Sequence, residues 1–428
     1  MSGTMPHDLR VFVNERGVSV PFGSDAATAV RAFDDALADA IAAGEARLTD
    51  SRGLPVDATT PVHGGAIFRV IGGRREAAAV PQIPWEVLRT LPKAELHLHL
   101  DGSLRPGTLA ELAAQAGTSL PSTDPAALAA WMLVDDAKQL EDYLARFAIT
   151  TGVMQTADAI ERVAYELVHD VAADGTWYVE TRYAPSLSTR GGLSMDDVMA
   201  AWWRGLQRGE RETGTIARMI VCALRGDSVA MAQAHAELAV AWADRGVVAF
   251  DLAAGEAGNR ASKYREAFAH ASAHDLAVTC HAGEGWGAAS IREAIHDCGA
   301  NRIGHGTRLH EDPELERYVA DRRIALEVCP TSNVQTRVVS RFAEHPIKRY
   351  HALGIPVTLN TDNRLMSGVT LTDEYASAAR HLGWSLATLA EVSKTAFDVA
   401  FLPWSERRAL IARATDALSA HVSTHGTA

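Results

Sequence analysis

Between Glu95 and Asp101 the chain reads E-L-H-L-H-L-D, setting His97 and His99 two residues apart in an apolar run. In an extended strand, side chains at i and i+2 project from the same face. Both imidazoles therefore aim at one point, while Leu96, Leu98 and Leu100 face the other side. Neutral imidazoles are good zinc ligands, so a divalent metal is the expected occupant of that point. Further on, T-C-H-A-G-E (279–284) carries His281 off an apolar run, with Glu284 three residues later. That pairing suits a ligand followed by an acid–base group. R-I-G-H-G (302–306) flanks His305 with glycines that permit close backbone approach. L-N-T-D-N (359–363) delivers Asp362. Three imidazoles and one carboxylate, with room for water, form the donor set of a catalytic zinc. A lone histidine is usually a surface or core residue, but four such strand ends in order are hard to obtain by accident.

These groups meet only if their strands converge. Apolar runs predict strands at Glu95–Leu100, Trp177–Tyr183, Ala217–Leu224, Val247–Leu252, Ala277–His281, Arg302–Gly304, Ala325–Cys329 and Pro356–Asn360. Amphipathic helices alternate with them, among them Ala157–Ala173, Met195–Arg211, Val229–Arg245, Ile291–Cys298 and Glu314–Asp321. Eight such units predict a parallel (β/α)8 TIM barrel, whose chemistry gathers at the C-terminal strand ends. Closure sets strand eight beside strand one, so Asp362 reaches the metal held by His97 and His99.

Residues 1–73 read as a separate small α+β module. Strands are expected at Leu9–Val13 and Val18–Pro21 around a hairpin turn at Glu15-Arg16-Gly17, with further strands at Ala46–Thr49 and Ala66–Ile71. One alanine-rich helix is expected over Asp25–Ala43. The order strand, strand, helix, strand, strand resembles a β-grasp module. Residues 74–84 are the expected linker, and 85–428 the barrel.

The net charge of −12 argues against nucleic acid or an anionic membrane as partner. An uncharged small nucleoside is compatible with it. Four scattered cysteines, Cys222, Cys280, Cys298 and Cys329, form no C-x-x-C pair, so reduced thiols and a cytoplasmic location are expected. Residues 1–10 lack an apolar signal core, and no run approaches the ~18 apolar residues of a membrane span. The oligomeric state is not readable.

From residue 85 onward the chain resembles the adenosine deaminase family. The resemblance rests on L-P-K-A-E-L-H-L-H-L-D-G-S-L-R-P (91–106), Y-V-E-T-R-Y-A-P-S-L (178–187), H-A-G-E (281–284), R-I-G-H-G-T (302–307), E-V-C-P-T-S-N (327–333) and L-N-T-D-N (359–363). It implies one Zn2+ per subunit, held by His97, His99, His281 and Asp362, with His99 also at the substrate. It implies that Glu284 protonates purine N1, that water attacks C6, and that His305 orients that water. Asp362 would accept a hydrogen bond from the same water, and Asp101 would bind the ribose 5′-hydroxyl. Two residues depart from the family pattern. Asn363 stands where a second aspartate commonly donates to N7, a bond that its amide can also make. Ala254 replaces the usual glycine whose N–H meets N3, and its methyl group narrows the pocket. Leu140, Tyr143 and Phe147 share one helix face by their spacing, and the resemblance makes them a hydrophobic gate over the base.

The activity so implied is hydrolytic deamination of adenosine and 2′-deoxyadenosine to the inosines, with release of ammonia. Two alternatives stand beside it: a deaminase of a 5′- or N6-substituted adenosine, and a non-catalytic nucleoside-binding or scaffold protein. The nucleobase deaminases with H-x-E and P-C-x-x-C form a different class, and this chain lacks their cysteines.

Overall fold

A computed structural model describes residues 8–14, 16–44, 46–51, 54–72, 83–134 and 146–426. Most of the expected linker (74–82), Glu15 of the expected turn, and Leu140 and Tyr143 lie outside these residues. The chain forms two compact units, 1–81 and 82–428.

The first unit holds β1 (Leu9–Val13), β2 (Arg16–Val20), β3 (Ala46–Asp50) and β4 (Ile67–Gly72) in the sheet order β2-β1-β4-β3. β1 pairs antiparallel with β2 and parallel with β4, and β3 pairs antiparallel with β4. Val11, Val13, Val20, Ala29, Val30 and Phe68 make its core. The single helix expected over 25–43 is two, Ala26–Phe33 and Asp35–Ala42. Asp34 causes the break: its backbone is extended at φ −164°, and its carboxylate accepts from Leu37 N at 3.1 Å. Aspartate competes for nearby backbone donors in this way and starts a new helix. The second strand begins earlier than expected, because Gly17 and Arg16 pair with Phe12 and Val13.

The second unit is a (β/α)8 barrel. Its strands are β5 (Lys93–His99), β6 (Thr176–Tyr183), β7 (Ile216–Leu224), β8 (Val247–Ala253), β9 (Ala277–Ala282), β10 (Arg302–His305), β11 (Ala325–Val328) and β12 (Val357–Leu359). Each is parallel to its successor. A parallel bridge between Leu98 and Asp362 joins the last strand end to the first and closes the ring. Helices cover the outside, so strand residues are buried on both faces, as an all-parallel sheet requires. The helix expected over Val229–Arg245 is α-helical to Ala241 and then turns into a 3-10 segment at Ala243–Arg245. No helix among the described residues is long and apolar enough to cross a membrane.

Outside the strands, the helix Leu371–Leu382 carries Glu374, fully buried, with Oε1 accepting from Thr331 N at 3.2 Å. Burial pushes this carboxyl up from its ordinary 4.5 to about 8. The folded chain thus keeps a proton that the unfolded chain releases above about 4.5, and stability falls as pH rises between those values. Glu374→Gln removes that dependence. Its stability relative to the parent is expected to grow by on the order of 3 kcal/mol from pH 5 to 8, read from paired thermal denaturation at both pH values.

Candidate metal centre

The closing bridge of the barrel also builds the site. His99 N donates to Asp362 O at 2.8 Å, and Asp362 N donates to His97 O at 3.0 Å. Asp362 is thereby held in register with Leu98, between the two histidines. Its Oδ1 lies 3.5 Å from His97 Nε2 and 3.3 Å from His99 Nε2. From β9, His281 brings Nε2 to 3.1 Å from His99 Nε2. Ligand-capable atoms of His97, His99, His281 and Asp362 all lie within 4.8 Å of one another. Gly304 makes the convergence sterically feasible: a Cβ there would stand 3.1 Å from both His97 Cε1 and His281 Cα.

Buried carboxylates fix the imidazoles from behind. His97 Nδ1 is 2.9 Å from Glu327 Oε2, and His281 Nδ1 is 3.2 Å from Asp251 Oδ1. A carboxylate accepts, so each Nδ1 donates and each Nε2 keeps its lone pair. His97 Nε2 is buried with no hydrogen-bond partner. Burial, together with neighbouring histidines, holds His99 and His305 well below the usual histidine range. Burial also lowers His281, against the pull of Asp251. For Asp362, burial opposes ionisation, but His97 and the other imidazoles beside it outweigh that and hold the carboxyl well below its usual range. An unpartnered lone pair on His97 Nε2 crowded against His99, His281 and the Asp362 carboxylate fits a cation. The charge balance agrees. Arg182 and Arg302 pair with Glu180, Asp251 and Glu327, and Asp362 beside His99 is a fourth carboxylate, so this group carries two more acids than guanidinium groups, which a divalent ion offsets.

With His97 fully buried behind them, His99, His281 and Asp362 line a cavity of about 350 Å3. Its walls include Asp101, Phe147, Arg190, Ala254, Glu284, His305 and Asn363. His305 Nε2 is 3.5 Å from Glu284 Oε2, and its Nδ1 lies 3.2 Å from the Asn333 amide. Glu256 fixes the loop bearing Glu284, accepting from the backbone N–H groups of Gly283 at 2.8 Å, Glu284 at 3.0 Å and Trp286 at 2.9 Å. Burial and nearby Asp362 raise Asp101 from 3.8 to about 7. Asn363 packs against Gly102, where a Cβ would stand 1.8 Å from Asn363 Oδ1. Ala254, His305 and Asp362 have positive φ of 74°, 62° and 62°.

The sequence profile described as adenosine deaminase matches residues 92–417. The adenosine deaminase of Mycobacteroides abscessus is 44% identical over 338 residues, 75% of this chain and 93% of its own. That of Mycobacterium tuberculosis strain H37Rv is 41% identical over 344 residues, 76% and 94% of the two chains. The chain belongs to the adenosine deaminase family. Solved structures agree with the assignment. The adenine deaminase from Arthrobacter aurescens superimposes with a TM-score of 0.72 at 26% identity, covering 77% of this chain and 99% of that one. The N6-methyl-AMP deaminase from Arabidopsis thaliana gives 0.68 at 27%, covering 78% and 99%. As a member of this family the chain is a hydrolytic deaminase, and the N-terminal unit lies outside the matched profile.

Within this deaminase, Glu327, Asp251, Arg182, Ser332 and Asn333 escaped the sequence reading. For Glu327, Asp251 and Arg182 the signal was a charged residue inside an apolar strand, as in A-L-E-V, F-D-L and T-R-Y, since buried charges need partners; Ser332 and Asn333, on the helix Pro330–Gln335, carried no such signal. Ser332 Oγ donates to Asp362 Oδ2 at 2.7 Å. Glu327→Gln should weaken metal binding by about 10–100-fold, because the residue behind a histidine ligand tunes its basicity and angle. Chelator competition with the purified variant measures this; unchanged affinity would show that Glu327 does not act through His97.

Proposed function

We propose that the chain converts adenosine and 2′-deoxyadenosine to inosine and 2′-deoxyinosine, releasing ammonia, with one zinc ion per subunit. The observation that carries this reading is the convergence of three imidazoles and Asp362, with His99, His281 and Asp362 lining the same cavity as Glu284 and His305. His97, His99, His281 and Asp362 would hold the zinc. When bound, zinc lowers the pKa of a water toward neutrality.

The chain's own residues supply the rest. Buried Glu284 carries the proton delivered to purine N1, which makes C6 electrophilic. His305, a neutral imidazole steadied by Asn333, orients the attacking water. Asp362 accepts a hydrogen bond from that water while Ser332 holds its other oxygen. Asp101 binds the ribose 5′-hydroxyl, Asn363 donates to N7, and the Ala254 N–H meets N3. Phe147, half-buried on the helix Phe147–Val153, walls the base from solvent.

One observation favours a second reading, a 5′- or N6-substituted adenosine. Arg190 lines the same cavity, is exposed, and makes no hydrogen bond or ion pair among the described residues. A guanidinium so placed suits an anionic 5′-group.

Glu284→Gln is expected to lower kcat by about 10²–10⁴-fold while zinc content stays unchanged; loss of the metal would overturn the role given to Glu284. Ammonia release from adenosine, 2′-deoxyadenosine, N6-methyladenosine and AMP decides between the readings. The first reading expects adenosine to be the best substrate and a chelator to abolish turnover; AMP or the N6-methyl compound outrunning adenosine supports the second.

A further inference from the structure

One backbone N–H outside the substrate cavity decides which nitrogen of His305 carries a proton. Ile347 opens the helix Ile347–Ala352, so its N–H has no intrahelical acceptor. It donates instead to His345 Nδ1 at 3.1 Å. A ring that accepts at Nδ1 is neutral, and burial of His345 agrees, lowering its imidazole to about 3. With Nδ1 occupied as an acceptor, the single N–H of His345 sits on Nε2.

His345 Nε2 faces Asn333 Oδ1 at 3.2 Å, and Thr307 Oγ1 donates to the same oxygen at 2.8 Å. Turning the amide over would set its NH2 against the His345 N–H, two donors face to face. The orientation of Asn333 is therefore fixed, with Nδ2 directed at His305 Nδ1, 3.2 Å away. An amide nitrogen only donates, so His305 Nδ1 accepts. A protonated ring would have no lone pair there, so His305 is neutral and its one proton is on Nε2. That Nε2 faces Glu284 Oε2 at 3.5 Å. Thr307, Asn333 and His345 are all buried, so bulk water does not compete for these bonds.

We propose that Asn333, oriented by His345, is a positioning residue that locks His305 in the Nε2–H tautomer. His305 then meets the attacking water as a hydrogen-bond donor. It takes no proton from that water, because its one lone pair is turned away and held by Asn333. An N–H directed at the oxygen turns the water's own protons elsewhere, toward Asp362, and leaves a lone pair of the oxygen for C6. The role in catalysis rests on the deamination proposed above, whereas the tautomer is read without any substrate.

Nitrogen-15 NMR of the full-length zinc-loaded enzyme tests it, with the His305 signals assigned by their loss in His305→Gln. The expected spectrum shows His305 unprotonated at Nδ1 and protonated at Nε2. Asn333→Asp puts an acceptor where the donor was and should move the proton to Nδ1. That variant is expected to lose about 10²–10⁴-fold in kcat, the cost of a wrong histidine tautomer, with zinc content and KM nearly unchanged. His345→Gln still donates to Asn333 Oδ1 and should keep most of the rate. His345→Ala frees the amide to turn over and should not, and this pair decides the matter even if Asn333→Asp misfolds. His305 protonated on Nδ1 or on both nitrogens in the parent enzyme, an unaltered kcat in Asn333→Asp, or equal kcat in the two His345 variants would overturn the proposal. The expected tautomer in a chain that deaminates no adenine nucleoside would support the assignment and overturn the proposed deamination instead.

Discussion

One buried carboxylate ties the barrel to its chemistry. Glu327 Oε2 takes Arg182 at 2.7 Å and His97 at 2.9 Å, and Oε1 takes Arg302 at 2.6 Å and Thr279 at 2.9 Å. Arg182 continues to Asp251 at 2.9 Å, and Asp251 to His281. Burial raises the energy of the ionised Glu327, but the two guanidinium groups outweigh it and hold the carboxyl well below its usual range. Six strands, β5, β6, β8, β9, β10 and β11, are linked through these few side chains. Such a network adds little net stability over an apolar core, but removing one member strands the others and costs about 3–5 kcal/mol. Its value lies in geometry: the same bonds that hold charges inside the barrel aim the imidazoles at one point.

The site stores conformational strain where the strands end. His305, Asp362 and Ala254 adopt left-handed backbone angles, a region that costs an L-residue about 1–2 kcal/mol. Residues in such angles persist when the surroundings over-determine them, and they gather at active sites. At Asp362 the closing bridge and Ser332 provide that constraint. At Ala254 the angle explains why a glycine is the easier residue there and why alanine brings its methyl group to the cavity wall.

Much of this was legible in the sequence, for a physical reason. Period-two alternation fixes the face of His97 and His99 without knowledge of the fold, and eight apolar runs separated by helices leave few topologies other than a barrel. Asp362 became readable once closure put strand eight beside strand one. Glu327, Asp251 and Ser332 were not, because their partners lie across strands and linear spacing says nothing of cross-strand reach. The break at Asp34 was hidden by alanines that continue the helical period through it. Phe147 does line the cavity, whereas Leu140 and Tyr143 lie outside the described residues.

The proposed chemistry depends on His97, His99, His281 and Asp362 meeting at one cation. X-ray absorption at the zinc edge of the purified chain reads this directly. The expected result is one zinc per chain, coordinated by nitrogen and oxygen at about 2.0–2.2 Å with no sulfur. A chain that retains no metal, or a shell containing a thiolate at about 2.3 Å, would contradict it.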